Sequence, residues 1–72
     1  MNLTPKEKMV LDKLIETGGS NEQIAEALGI AEGTVRTHLR NLFMKYRVIN
    51  RSELIVRASN DRIGTVSSSY TN

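Results

Sequence analysis

The chain has no cysteine, no tryptophan, a single histidine and a single proline, and only 4% of its 72 residues are aromatic. Without cysteine it has neither a disulfide framework nor thiolate ligands, and one histidine cannot complete a structural zinc site. We therefore expect no metal and no other cofactor. No apolar run approaches the roughly 20 residues that span a bilayer, and the amino-terminal MNLTPKEK lacks a hydrophobic signal core. These absences predict a cytoplasmic protein that does not contact a membrane.

Patterns typical of catalysis are missing as well. The sequence has no P-loop, no paired carboxylates, no nucleophile with a nearby base, and no spacing that suggests metal ligands. We therefore expect that the chain is not an enzyme. Its length allows one small domain of marginal stability.

Charge is distributed unevenly along the chain, although the net charge is only +2. Residues 1–33 contain six acidic and three basic side chains, whereas residues 34–57 contain six basic and one acidic side chain. A basic segment of this kind indicates binding to a polyanion, but the same charges also occur on solvated helix faces.

Capping signals predict where the first two helices begin and end. Thr4 and Glu7 form a Thr-x-x-Glu capping box around Pro5, and the glycine pair at 18–19 ends the first helix. Ser20 and Gln23 form a second box, and Gly29 ends the second helix.

The sequence of the carboxy-terminal half predicts two further helices followed by a tail. The third helix is expected from about Glu32 to about Tyr46, and the fourth from a capping box at Asn50 and Glu53 to near Arg62. The segment GTVSSSYTN is rich in serine and threonine, so we expect residues 1–63 to form the domain and residues 64–72 a mobile tail.

The third predicted helix has three faces of different character, drawn at about 100° per residue. One narrow stripe is apolar and contains Val35, Leu39, Leu42 and Tyr46. The nearly opposite side contains Gly33, Arg36, Thr37, Arg40 and Met44, and one flank contains Thr34, His38, Asn41 and Lys45. Two short helices joined by a tight turn at residues 29–31, the second with a basic outer face, are typical of a helix-turn-helix motif that inserts into the DNA major groove.

The chain contains, in this order, the segments LTPKEKMVLDKL, SNEQIAEALGIAEGTVRTHLRNLF and VINRSELI. In this order they resemble the LuxR-type (GerE-like) helix-turn-helix domain of bacterial transcription regulators. The resemblance covers about Leu3 to Ala58. It implies an all-α fold of four helices that binds double-stranded DNA as a homodimer, often through the fourth helix. Many relatives carry an additional receiver or ligand-binding domain, for which this chain has no room, so we expect a stand-alone regulator.

The family pattern also suggests site residues when it is carried over position by position. It assigns base reading to Arg36, Thr37 and Arg40, and phosphate contacts to Ser20, Asn21, Thr34 and His38. From their charge we add Lys45 and Arg51 as general contributors to phosphate binding. We expect a dimer interface at Leu54, Ile55 and Ala58, although part of this apolar set must also serve the core.

Four residues depart from the family pattern. Ala31 stands where a capping serine or threonine is usual, and Gly33 replaces what is often a longer polar or basic residue. Glu22 stands where lysine is common and would repel a nearby phosphate. Arg47 stands where glycine is favoured, which costs about 1 kcal/mol if the residue is left-handed.

These observations predict a sequence-specific DNA-binding transcriptional regulator whose recognition helix, about residues 32–46, lies in the major groove. One alternative is a helix-turn-helix protein-interaction module that binds another regulator rather than DNA. A second alternative is a region that resembles the promoter-reading part of a sigma factor. The capping box at Thr4 and the segment VINRSELI favour the LuxR-type domain over the sigma-like one.

Overall fold

A computed structural model describes the backbone of residues 2–70 and the side chains of residues 2–61. The chain forms four α-helices, α1 to α4 in order: Pro5–Thr17, Asn21–Leu28, Glu32–Tyr46 and Arg51–Tyr70. Residues 2–70 contain no β-strand, which confirms the predicted all-α class. Over this part of the chain, no helix combines the length and hydrophobicity that crossing a membrane requires.

The first two helices begin at the capping boxes that the sequence predicted. The Thr4 hydroxyl accepts a hydrogen bond from the Glu7 amide at 3.1 Å, and the Glu7 carboxylate accepts one from the Thr4 amide at 3.0 Å. Ser20 and Gln23 exchange the equivalent bonds at 3.2 and 2.8 Å. Each helix ends at a left-handed glycine, α1 at Gly18 with φ 62° and α2 at Gly29 with φ 68°. Interactions within a few residues of the chain therefore define these helix ends.

Helix α3 lies at the centre of the molecule and packs against each of the other three helices. Three residues of its predicted apolar stripe are covered, since Val35, Leu39 and Leu42 are no more than 3% exposed, and the fourth, Tyr46, is half-buried against the same core. The rest of the core comes from the other elements and comprises Val10, Leu11, Leu14, Ile24, Ala25, Val48, Leu54 and Ala58. Each buried leucine or valine stabilises the fold by about 1.5–3 kcal/mol. This burial fixes the rotation of α3 about its axis.

Helix α4 contributes more to the core than the sequence suggested. Leu54 and Ala58 are 0% and 2% exposed, and Ile55 is half-buried against the same cluster. The assignment of Leu54 and Ala58 to a dimer surface is therefore corrected, because side chains that are covered within their own chain offer no surface to a second copy.

Helix α4 also extends past Arg62, where the sequence predicted its end, to Tyr70. The prediction rested on Gly64 and the serines after it. Glycine disfavours a helix by only about 1 kcal/mol relative to alanine, whereas proline, which would end it, does not occur there. The mobility expected for the tail stays a prediction, and its residues 71–72 lie outside the described part of the chain.

Both ends of α3 show the departures noted in the sequence. Ala31 precedes the helix with extended backbone and forms no side-chain cap. Arg47 ends the helix in the left-handed region at φ 57° and ψ 49°, and among residues 2–70 it is the only non-glycine residue with positive φ. A side chain at such a position costs about 1 kcal/mol relative to glycine.

We expect Arg47→Gly to raise the free energy of unfolding by about 1 kcal/mol, or about 4–8 °C in Tm for a domain of this size, because glycine relieves the left-handed strain. Arg47→Lys is the matched control, since it keeps a long cationic side chain and should leave stability unchanged. Urea unfolding of the three proteins measures the difference. A glycine variant no more stable than the parent would show that Arg47 makes contacts that compensate its conformation.

Candidate nucleic-acid interface

The three proposed base-reading residues lie exposed on one side of α3. Arg36, Thr37 and Arg40 are exposed, whereas the neighbouring Val35 and Leu39 face the core. The Thr37 hydroxyl donates to the Gly33 carbonyl at 3.0 Å, which leaves its methyl group for apolar contact. Core burial thus presents two guanidinium groups and a methyl group to the outside, and major-groove base edges offer partners for both kinds of group.

The two arginines differ in their partners. The Arg36 Nη2 donates to the Glu32 Oε1 at 3.1 Å, one turn earlier in the same helix. Arg40 forms no hydrogen bond or ion pair with any described residue. The sequence reasoning missed Glu32 as a member of this surface, although its spacing of four residues from Arg36 is a known signal for a helical ion pair.

An open cleft of about 230 Å³ lies beside this side of α3. It is lined by Asn21, Arg36, Leu39, Arg40, Phe43 and Arg51. A second, shallower depression is lined by Ser20, Asn21, Glu22, Glu32 and Arg51. The structure therefore brings the start of α2, the outer side of α3 and the start of α4 onto one continuous surface, which is lined by five of the predicted DNA-contacting residues: Ser20, Asn21, Arg36, Arg40 and Arg51.

Arg51 joins the start of α4 to the start of α2. Its guanidinium donates to the Asn21 side-chain oxygen and to the Gly19 carbonyl. Two predicted phosphate ligands, Asn21 and Arg51, are thus in direct contact. Arg51 also has a structural role that its charge alone did not predict.

The other residues predicted to contact phosphates differ in their exposure to solvent. Ser20 is exposed, and although its hydroxyl oxygen accepts the capping bond from Gln23, its O–H can still donate. Thr34 is exposed in the first turn of α3, whereas His38 is half-buried farther along the helix.

Lys45 is placed apart from the arginines and faces α1. Its Nζ donates to the Glu7 Oε1 at 2.5 Å and to the Asn2 carbonyl at 3.0 Å. Glu7 is only 4% exposed, so this is a largely covered ion pair between the end of α3 and the start of α1. Sequence reasoning missed the pair because the partners are 38 residues apart and Glu7 already had a role in its capping box.

These contacts favour the ionised form of Glu7. The hydrogen bond from Lys45, followed by the bond from the Thr4 amide, holds the pKa of Glu7 below its ordinary value. Burial raises the pKa, but it is outweighed, and attraction to Lys45 and to His38 lowers the pKa further.

Comparison with known proteins identifies similar sequences over most of the chain. The family model for bacterial regulatory proteins of the LuxR family (GerE) matches residues 1–58. The HTH-type transcriptional regulator MalT of Vibrio campbellii is 52% identical over 58 residues, which is 81% of this chain and 6% of MalT. The CsgBAC operon transcriptional regulatory protein of Escherichia coli is 48% identical over 59 residues, which is 82% of this chain and 27% of that protein.

A solved structure shows the same fold. The crystal structure of the response regulator ChrA, from a heme-sensing two-component system, superimposes with a TM-score of 0.78 and 40% identity. The match covers 86% of this chain and 30% of ChrA. The chain thus spans less than a third of each of these three proteins.

The Glu7–Lys45 pair predicts how stability depends on pH. A carboxylate with a lowered folded-state pKa stabilises the fold fully above its unfolded pKa of about 4.3, and this contribution is lost as the pH falls toward the folded pKa. We expect Glu7→Gln to be less stable than the parent at pH 7, and to lose less stability on acidification below about pH 4.3.

Urea unfolding between neutral and acidic pH tests this expectation. Glu16→Gln is the control, because that side chain is 66% exposed and forms a surface ion pair with Lys13. The same acid dependence in Glu7→Gln and in the parent would contradict the assigned role of the pair.

Proposed function

The chain belongs to the LuxR family of bacterial regulatory proteins, and from that membership we propose that it binds duplex DNA sequence-specifically and regulates transcription. In the proposed mode α3 enters the major groove and α2 crosses the phosphate backbone. The observation that carries this proposal is the exposure of Arg36, Thr37 and Arg40 on the side of α3 opposite its buried stripe. A regulator that binds bacterial DNA acts in the cytoplasm, which is the compartment we propose.

Base reading follows from the spacing of the two arginines. Four residues of α-helix rise about 6 Å, close to two base-pair steps of about 3.4 Å. Arg36 and Arg40 can therefore address different base pairs, each through a two-pronged contact with the O6 and N7 of a guanine, worth about 1–3 kcal/mol of discrimination. The Thr37 methyl group, between them in sequence, suits contact with a thymine methyl.

Phosphate contacts in this mode come from both helices. The start of α2, with its helix dipole, attracts an anion, and the Ser20 hydroxyl lies at the same helix end. Asn21 and Arg51 are joined beside it, so Arg51 adds a positive charge where the backbone would pass. Thr34 and His38 complete the proposed phosphate set on α3, and Lys45 is left out of it because its Nζ is bonded to Glu7 and to the Asn2 carbonyl.

We also propose that two copies associate through the outer side of α4. Val56 is 58% exposed there, and the adjacent Ile55 is only half-buried. With Leu54 and Ala58 inside the subunit, Ile55 and Val56 supply the apolar surface on the part of α4 whose side chains the structure describes, residues 51–61. A two-fold pair would place two α3 helices on half-sites of matching symmetry.

One observation favours the alternative function of binding a protein regulator. Glu22 and Glu32 line the depression beside the start of α2, where the DNA mode brings phosphates. Salt dependence separates the two functions, because phosphate-driven binding weakens with a log-log slope of about −0.9 for each phosphate neutralised.

The assignment of base reading to the outer side of α3 can be tested with the variants Arg36→Ala and Arg40→Ala. Their target is a duplex that the parent protein has selected from a random library. Each substitution is expected to weaken binding to the selected duplex about 5- to 150-fold, because a guanine contact worth about 1–3 kcal/mol is lost. Mobility-shift titrations measure the affinities. Lys8→Ala, which removes one exposed charge on α1, should have little effect. If both arginine variants bind every duplex as the parent does, the reading side is wrongly assigned.

The dimer proposal predicts that Val56→Asp yields a monomer at concentrations at which the parent is a dimer, because a carboxylate in an apolar contact must be desolvated. Sedimentation velocity measures the state, and binding to a duplex with two half-sites should lose its cooperativity. Met9→Asp places the same charge on another exposed apolar residue, on α1, and should remain dimeric. If the parent and Val56→Asp sediment equally, α4 is not the contact between the two copies.

A further inference from the structure

The outer side of α3 carries a carboxylate bonded to one of its proposed base readers. The Glu32 Oε1 accepts a hydrogen bond from the Arg36 Nη2 at 3.1 Å, and the two side chains are 48% and 59% exposed. Glutamate four residues before arginine is the favourable order for an ion pair within a helix. Arg36 is thus held and partly neutralised before any DNA arrives, whereas Arg40, one turn later, has no partner among the described residues.

A second observation concerns where this carboxylate lies. Glu32 shares a depression with Glu22, Ser20, Asn21 and Arg51. In the proposed DNA mode a phosphate approaches the start of α2 at this depression. Two negative charges there disfavour contact with the DNA backbone irrespective of base sequence.

Building on the proposed function, we propose that Glu32 is a specificity-determining residue. Its ion pair with Arg36 lowers the affinity for DNA of arbitrary sequence. The same ion pair holds the Arg36 guanidinium in an orientation that suits contact with a guanine. Glu32 acts through Arg36 and is therefore a positioning residue rather than a base reader.

The donor inventory of arginine allows both contacts at once. A guanidinium has five N–H donors in a planar fork, and the bond to Glu32 uses one of them. The remaining donors can meet the two acceptors of a guanine edge while the carboxylate fixes the plane of the fork. Since that orientation exists beforehand, less side-chain freedom is lost on binding.

The pair also acts against binding to the wrong sequence. A free arginine on this surface can turn to the nearest phosphate and contribute to non-specific binding. While bonded to Glu32, Arg36 cannot turn freely, and a phosphate that approaches it also meets the negative charge of Glu32. In free solution the exposed pair contributes little to stability, but covering by DNA removes water and strengthens it.

The test compares Glu32→Gln with the parent on two duplexes, the library-selected one and one of scrambled sequence. Glutamine keeps the size of the side chain and removes its charge. We expect affinity for the scrambled duplex to rise about three- to tenfold, with a salt slope steeper by about 0.9, because Arg36 becomes available to one more phosphate. Affinity for the selected duplex should rise less, so the ratio of the two affinities falls.

Two control variants separate the ion pair from the charge alone. Glu22→Gln removes a charge from the same depression, but Glu22 has no bond to a reader among the described residues. It should raise both affinities equally and leave their ratio unchanged. Glu32→Asp keeps the charge but is one methylene too short to hold Arg36 as Glu32 does, and should also lower the ratio.

The dependence on Arg36 is tested by repeating Glu32→Gln in the Arg36→Ala background. In that background Glu32→Gln should no longer make the salt dependence of binding to the scrambled duplex steeper. An unchanged affinity ratio in Glu32→Gln, or an equal change of slope in both backgrounds, overturns the inference. If the parent itself prefers no duplex over any other, the proposed function fails instead, and that result is visible before any variant is made.

Discussion

The burial of one stripe of α3 is the constraint on which the rest of the molecule depends. Val35, Leu39 and Leu42 are almost completely covered, and α1, α2 and α4 all pack on α3. Turning the helix by one residue, about 100°, would expose a buried leucine or valine at a cost of about 1.5–3 kcal/mol each. The outward position of Arg36 and Arg40 is therefore a consequence of core packing.

Two polar contacts between distant parts of the chain reinforce this arrangement. Lys45 ties the end of α3 to Glu7 in α1, and Arg51 ties the start of α4 to the start of α2. The Lys45 contact lies near one of the two weak ends of α3, which starts without a side-chain cap and ends at a left-handed arginine. The helix is thus held by its surroundings rather than by its own termini, as expected when tertiary packing supplies most helical stability.

Much of the fold could be predicted because its signals are local. Capping boxes at Thr4 and Ser20 and left-handed glycines act within a few residues, and the spacing in α3 separated its buried from its exposed side. The Lys45–Glu7 pair could not be found this way, since its partners meet only after folding. The sequence indicated that part of the apolar set on α4 serves the core, but it could not show that Leu54 and Ala58 are that part, because an apolar stripe looks the same whether it covers its own core or a second copy. For the candidate site, the sequence identified the exposed arginines but not the carboxylate that holds Arg36.

We propose that this packed scaffold presents the outer side of α3 to a duplex. NMR titration of the ¹⁵N-labelled chain with a selected duplex tests it most directly, because each residue reports separately. We expect the largest shifts at the backbone amides of residues 34–40 and at the side-chain Nε–H groups of Arg36 and Arg40, with α1 nearly unchanged. Largest shifts on α1, or none on α3 at saturating DNA, would contradict it.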